Sequence, residues 1–178
     1  SGDYIVVGAP YDDDNGDSSG SAYLFYKDQG GLDNWGQVAK LTASDAADYD
    51  SFGYSVSISG GYAVIGCYGD GDMGSYSGSA YIFNKGHGGS DNWGQVTKLT
   101  ASDGVEYDYF GYSVAINGHN VVIGANKEDE GKIGSAYIFS KDQGGIDNWG
   151  EVKKLSASDG QIDNAFGTSV SINGDYVT

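Results

Sequence analysis

Short runs in which apolar and small polar residues alternate recur along the whole chain and predict β-strands. In Ser55 to Ile58, β-branched residues alternate with serine, as in a strand with one buried face. Tyr62 to Gly66, Ser79 to Phe83 and Gln95 to Thr100 are the next three such runs. No window carries the 3.6-residue stripe of an amphipathic helix. The pattern therefore predicts an all-β fold.

Turn residues separate the first two runs of each set. Ser59-Gly60 stands between them, and Asn117-Gly118 and Asn173-Gly174 occupy the same place further along. Asn-Gly between alternating runs is a strong hairpin signal. We expect tight antiparallel hairpins with positive φ at both of these residues.

The four strand signals recur as a unit. Phe52, Phe110 and Phe166 are 58 and then 56 residues apart, and each is followed by glycine. The repeats span 2–59, 60–117 and 118–173, and 174–178 begins another. All 178 residues therefore form one repeat-built segment.

Four antiparallel strands per repeat predict one β-propeller blade per repeat. The chain begins within a second strand, so it supplies three blade-equivalents in permuted order. A stacked β-solenoid is the alternative, although it does not need the two-residue hairpin. Three blades leave open sheet faces, and propellers close with about four to eight blades. We therefore expect a longer array or, as the second choice, a ring formed by copies of the chain.

Composition limits the function. The net charge of −16 disfavours nucleic acid and anionic membranes. No segment of the sequence is apolar over enough residues to form a membrane-spanning helix, so membrane insertion is not expected. A lone cysteine, Cys67, excludes an internal disulfide and stands where other repeats carry alanine, which predicts a buried thiol.

The residues Phe52-Gly53, with Gly8-Ala9-Pro10 at the same phase, resemble FG-GAP repeats, the blades of the integrin α-subunit propeller. The segments around Gly-Ser-Ala-Tyr and Val-x-Lys-Leu-Thr-Ala-Ser-Asp are similar to FG-GAP repeats of large bacterial secreted proteins. Gly66-Cys67-Tyr68 and Gly124-Ala125-Asn126 depart from Gly-Ala-Pro. The resemblance implies a secreted or cell-surface protein that mediates adhesion.

Acidic residues are concentrated in two sets of loops, those between the second and third strands and those that lead into the next repeat. Strand alternation places both sets on one face. Clustered carboxylates suit Ca²⁺, which takes six to eight oxygen ligands. The candidate ligands are Asp12, Asp14, Asp17, Asp45, Asp50, Asp70, Asp72, Asp103, Asp108, Asp129 and Asp159.

The calcium hypothesis has an equal alternative, in which these aspartates form Asx-turns and keep the surface soluble. Integrin-type calcium loops lie between the first and second strands, where this chain has only a tight turn. Asp12 does not begin an EF-hand, because Tyr23 stands at the twelfth position.

Three tryptophans, Trp35, Trp93 and Trp149, precede the fourth strand of each repeat on the opposite face. They favour packing between blades, with sugar stacking as the alternative. The loops are near copies of one another, whereas a catalytic centre needs unlike residues at one point. We therefore expect a non-catalytic module that binds a protein or matrix partner. A lectin-like propeller and a structural filament unit are the alternatives.

Overall fold

The computed structural model describes residues 2–126, 133–162 and 164–178, and these contain strands and turns without helices. The predicted all-β class is confirmed. The described residues include no helix long and apolar enough to cross a membrane. The strands are β1 Tyr4–Ala9, β2 Ser21–Tyr26, β3 Gly36–Leu41, β4 Ser55–Ser59, β5 Tyr62–Cys67, β6 Ser79–Asn84, β7 Gly94–Leu99, β8 Phe110–Asn117, β9 Asn120–Ala125, β10 Ser135–Ser140, β11 Gly150–Leu155, β12 Ile172–Asn173 and β13 Tyr176–Val177.

Each repeat forms its own antiparallel meander. The first sheet has the order β1-β2-β3, the second β4-β5-β6-β7 and the third β11-β10-β9-β8, while β12 pairs with β13. Within each sheet, every strand therefore pairs with its neighbours in sequence, as the hairpin signals predicted. The last two strands of each sheet also share a register shift, at Leu24/Phe25, Ile82/Phe83 and Ile138/Phe139.

The hairpin turns lie one residue later than predicted. Ser59 pairs with Tyr62, so the two central residues are Gly60 and Gly61. Gly60 has φ +58°, and Gly118 has the same value in the next repeat, whereas no positive φ occurs at Ser59. Positive φ at the first central position alone is the pattern of a type II′ turn. The expectation of two positive φ values was therefore wrong, because a type II′ turn needs positive φ at its first central residue alone.

The sheets pack face to face, and their inner faces form the core. Between the first and second sheets, Leu24, Ile65 and Phe83 belong to one buried cluster. Between the second and third sheets, Val64 and Ile123 belong to the other. The core therefore consists of layers between successive sheets.

The Phe-Gly pair forms the joint between sheets. Phe52 and Phe110 are completely buried, and the Phe52 amide donates to the carbonyl of Ser19 at 3.0 Å. A Cβ added to Gly66 would lie 2.0 Å from the carbonyl oxygen of Gly111 in the next sheet. Both glycines of the joint are required because the backbones of adjacent sheets touch there.

Candidate functional site

The acidic loops of neighbouring sheets interlock along one edge of the stack. The amide of Tyr49 donates to the carbonyl of Asp17 at 2.7 Å, which ties the β3–β4 connection to the β1–β2 loop. The amide of Tyr107 donates to Ser75 at 2.8 Å and ties the β7–β8 connection to the β5–β6 loop. The two acidic loop sets therefore share one face, as the sequence predicted.

In the second sheet, three predicted ligands converge on a lysine. The Nζ atom of Lys98 lies 2.8 Å from Asp45, 2.6 Å from Asp70 and 2.5 Å from Asp72. Burial alone would lower the pKa of Lys98, but the three carboxylates outweigh burial and raise it. The three aspartates also hold oxygens within 4.8 Å of one another, close enough for a metal ion. An internal ammonium lies among the oxygens where the sequence predicted calcium.

The other sheets repeat this arrangement. Lys40 of β3 contacts Asp12 at 3.1 Å and also Asp14. Lys154 of β11 contacts Asp103 at 2.6 Å. Asp129, the remaining candidate of the third loop, lies outside the described residues. The described loops therefore keep one lysine per sheet beside the carboxylates, on the last strand of each of the three sheets.

The tyrosine of each Ser-Ala-Tyr motif also holds these carboxylates. The Tyr81 hydroxyl lies 2.9 Å from Asp45 and 3.0 Å from Asp70, and Lys98 lies over its ring at 5.4 Å. Burial raises the pKa of Tyr81, so it stays protonated and donates. Tyr23 contacts Asp12 at 2.9 Å in the same way. The in-phase spacing of these tyrosines with the aspartates was the sequence signal that could have predicted this contact.

A buried group lies beside the second cluster. The carboxylate of Asp50 is 5% exposed and accepts the amide of Ala47 at 2.7 Å. Burial raises its pKa to about 6. Cys67 is fully buried and its thiol donates to the Asp50 carbonyl at 3.2 Å. Burial raises the pKa of Cys67 as well, so it is a packed thiol and a poor nucleophile.

Three other predicted ligands lie apart from the lysine clusters. Asp17 accepts the hydroxyl of Tyr49 at 2.5 Å. Asp108 is buried like Asp50, its repeat counterpart, and accepts the amide of Val105 at 2.9 Å. Asp159 is exposed. The ten candidates that lie in the described residues therefore do not form a single centre.

The tryptophans pack between sheets on the opposite edge. Trp93 lies edge-on to Tyr4 at 5.4 Å, and Trp149 lies edge-on to Tyr62 at 5.3 Å. Their exposures of 2% and 3% leave no ring face for a sugar, so the stacking alternative does not hold for these two. Trp35 is half-buried, and for it the alternative stays a prediction.

A tyrosine cluster that the sequence did not single out lies on the acidic edge. Tyr54 and Tyr112 follow the Phe-Gly pairs, and Tyr68 lies 4.5 Å and 5.9 Å from them between ring centroids. Tyr76 and Tyr109 complete the cluster, which surrounds a cavity of about 340 Å³. The recurrence of tyrosine after Phe-Gly was the available signal, but in a tyrosine-rich chain it did not stand out.

The comparisons with known proteins agree with the repeat structure. A family model described as FG-GAP repeat matches residues 1–25, 35–83, 93–139 and 149–178. No curated protein matches the sequence. The chain is similar to a solved europium-containing methanol dehydrogenase, with a TM-score of 0.53 and 9% identity, over 87% of this chain and 23% of the other. At 9% identity, this similarity supports a shared propeller fold and nothing further. Since the family model matches well over half of its residues, the chain belongs to the FG-GAP repeat family, and its sheets are β-propeller blades.

Proposed function

We propose that this chain is a non-catalytic binding module of an extracellular protein, and that it recognises a protein partner through its acidic edge. The supporting observation is the interlocking of successive loops, by which Tyr49 bonds to Asp17 and Tyr107 bonds to Ser75. These bonds combine the loops of separate blades into one continuous surface. A surface of this kind suits an extended partner.

The charge indicates the chemistry of the partner. The net charge of −16 attracts basic surfaces and steers their approach. Exposed carboxylates of this edge include Asp13, Asp48 and Asp159. We therefore expect a partner with a lysine- or arginine-rich patch, such as a matrix protein.

The arrangement supports binding more than catalysis. The lysine–carboxylate clusters of Lys40, Lys98 and Lys154 repeat one arrangement, and in each the ammonium is already paired with carboxylate. A general acid or base needs a proton that it can exchange with substrate. The lectin alternative is weaker than a protein partner, because Trp93 and Trp149 are buried.

Calcium binding remains a prediction from the sequence. The group Asp45, Asp70 and Asp72 has the oxygens for it, but Ca²⁺ would have to displace or join the ammonium of Lys98. We propose that the acidic edge holds its shape through the lysines and needs no calcium to do so.

Matched charge variants test the proposed surface. The triple variant Asp13→Asn, Asp48→Asn, Asp159→Asn removes three carboxylates from the acidic edge. The control variant, at Asp28, Asp142 and Asp147, removes three from the opposite edge. We expect the first variant, but not the control, to weaken binding to a basic matrix protein about tenfold or more at low salt. Biolayer interferometry against a panel of extracellular proteins measures this.

Two results would contradict the proposal. Equal losses in both variants would show that only total charge matters. A panel without any saturable binder would remove the binding function itself.

A further inference from the structure

The tyrosine cavity has walls of aromatic rings set at steep angles to one another. Tyr54 and Tyr68 are related by an interplanar angle of 69°, and Tyr68 and Tyr112 by 62°. Tyr76 and Tyr109, at 68°, add two more walls, and Tyr76 is 39% exposed. Tyr68 and Tyr76 are closer to parallel, at 23° with 6.5 Å between centroids. Because the other pairs are steeply tilted, the rings surround a compact group and do not form one flat stacking platform.

The cavity also contains a hydrogen-bond acceptor without a partner. Asn126 lines it and is 2% exposed. Its Nδ2 donates to the Thr168 hydroxyl at 3.4 Å, while its Oδ1 accepts no hydrogen bond from any residue in the described ranges. A buried oxygen of this kind is commonly satisfied by water or by a ligand. Since the amide nitrogen is already used, the amide has an acceptor to offer a ligand.

The electrostatic environment favours a cation. Tyr68 and Tyr76 share the β5–β6 loop with Asp70 and Asp72, in a chain of net charge −16. The face of a tyrosine ring carries negative potential and attracts ammonium groups. A cation is therefore attracted by the loops, by the rings and by the free oxygen.

Elsewhere in the chain, lysine ammonium groups lie over the rings of tyrosines. Lys98 lies over Tyr81 at 5.4 Å and Lys85 over Tyr4 at 4.9 Å. Three further pairs repeat the contact: Lys40–Tyr23, Lys141–Tyr62 and Lys154–Tyr137. No lysine of the described residues lies over Tyr54, Tyr68 or Tyr112. These three rings have the chemistry of a lysine contact but no described lysine of their own.

We propose that this cavity binds a lysine side chain presented by the protein partner. The ring faces of Tyr54, Tyr68 and Tyr112 surround the ammonium and its alkyl stem, and Asn126 Oδ1 accepts an ammonium N–H. The inference rests on the proposed function for the source of the lysine. It adds the chemical group that the acidic edge selects.

The same features disfavour two other ligands. A sugar stacks on a broad, exposed aromatic face, whereas most rings of this cavity are tilted against one another and partly buried. A quaternary ammonium has no N–H for Asn126. An ammonium with N–H groups on an apolar stem satisfies all of the lining.

A capped amino acid tests the cavity without the partner. The probe is Nα-acetyl-lysine N-methylamide, and its control is the norleucine analogue, which has the same stem without the ammonium. NMR titration of the tyrosine ring signals measures affinity. We expect a dissociation constant of roughly millimolar order for lysine and binding at least about tenfold weaker for norleucine.

Two pocket variants and one control locate the site. Tyr76→Leu, at the partly exposed rim, and Tyr68→Leu, deeper in the cavity, should each weaken lysine binding about fivefold or more. Tyr176→Leu removes a tyrosine that is 79% exposed and does not line the cavity, and it should leave the affinity for lysine unchanged. Melting curves confirm that each variant is folded, and the rim variant keeps the test valid if the deeper one unfolds.

The contrary outcomes are distinct. Equal binding of lysine and norleucine, a preference for methyl glucoside, or no ring shifts at about 50 mM lysine probe would each overturn the lysine pocket. None of these would affect the matched charge variants, so the pocket and the acidic surface can fail separately.

Discussion

Lysine–tyrosine–aspartate contacts explain how so acidic a chain folds. The Lys98 ammonium touches three carboxylates and lies 5.4 Å from the centroid of the Tyr81 ring, whose hydroxyl lies within hydrogen-bond distance of two of the same carboxylates. Asp70, at 4% side-chain exposure, would be costly to bury without this ammonium. The lysines therefore supply positive charge to carboxylates for which the sequence predicted calcium or exposure to solvent.

Replacing Lys98 tests this directly. Lys98→Met keeps the stem but leaves Asp45, Asp70 and Asp72 without their ammonium. We expect it to reduce the free energy of unfolding by about 2–3 kcal/mol, since two of the three carboxylates are partly exposed. We also expect millimolar Ca²⁺ to raise its melting temperature by replacing the lost charge.

The control and the contrary result follow from the same experiment. Lys153→Met alters an exposed lysine of β11 and should be nearly neutral. If Ca²⁺ raises the melting temperature of the unmodified protein as much as that of Lys98→Met, the lysine is not the counter-ion, and the calcium hypothesis stands.

Sequence patterns located these residues but not their partners. The aspartates were found because acidic loops recur in phase. The contact of Tyr81 with Asp45 could not be predicted, since nothing in a strand pattern shows that a hydroxyl reaches a loop 36 residues earlier. Asn126 could not be found, because an unpaired oxygen exists only once the backbone is in place.

Among the strands, the alternating pattern predicted nearly all that was needed. The predicted run Ser79 to Phe83 became Ser79–Asn84, and Gln95 to Thr100 became Gly94–Leu99. The turns lie one residue later than predicted. Strand pairing, and not the identity of Asn or Gly, decides which two residues are central in the turn. The repeated register shift before the last strand was not predicted, since a β-bulge leaves no periodic signal in the sequence.

The joint between blades explains why glycine stands on both sides of it. Ser55 donates to the Gly111 carbonyl at 2.7 Å, and Gly66 approaches the same carbonyl so closely that a Cβ would lie 2.0 Å from it. Ser113 repeats the contact with Gly167 at 2.7 Å. The repeat signature is thus a backbone contact between sheets, fixed by one serine bond.

Gly66→Ala should therefore destabilise the joint. The added methyl group meets backbone, which cannot move without separating two sheets, so we expect a loss of about 1–3 kcal/mol in the free energy of unfolding. Gly71→Ala is the control, because its nearest atom would be 3.8 Å away. Urea denaturation of both variants measures the difference. Equal stability of the two would mean that the sheets can shift at the joint without cost.

In the whole stack, burial depends on whether a sheet has a neighbour. Ile65 is fully buried in the second sheet, whereas Val7, its counterpart in the first sheet, is 48% exposed. Ala63 is fully buried, and its counterpart Ile5 is 42% exposed. Trp93 is 2% exposed, whereas Trp35 is half-buried. The outer face of the first sheet therefore carries the kind of side chains that are buried between sheets elsewhere in the chain.

That face predicts association. In the isolated chain we expect a second copy to cover Ile5, Val7 and Trp35, because exposed apolar sheet faces associate in water. Val7→Lys should shift the protein toward the 18.6 kDa monomer in sedimentation velocity, since a charge at this face opposes burial. Ile146→Lys, at a loop residue that is 91% exposed, should leave the distribution unchanged. A cooperatively unfolding monomer in the unmodified protein would contradict this prediction, because it would show that the first sheet is stable with its outer face uncovered.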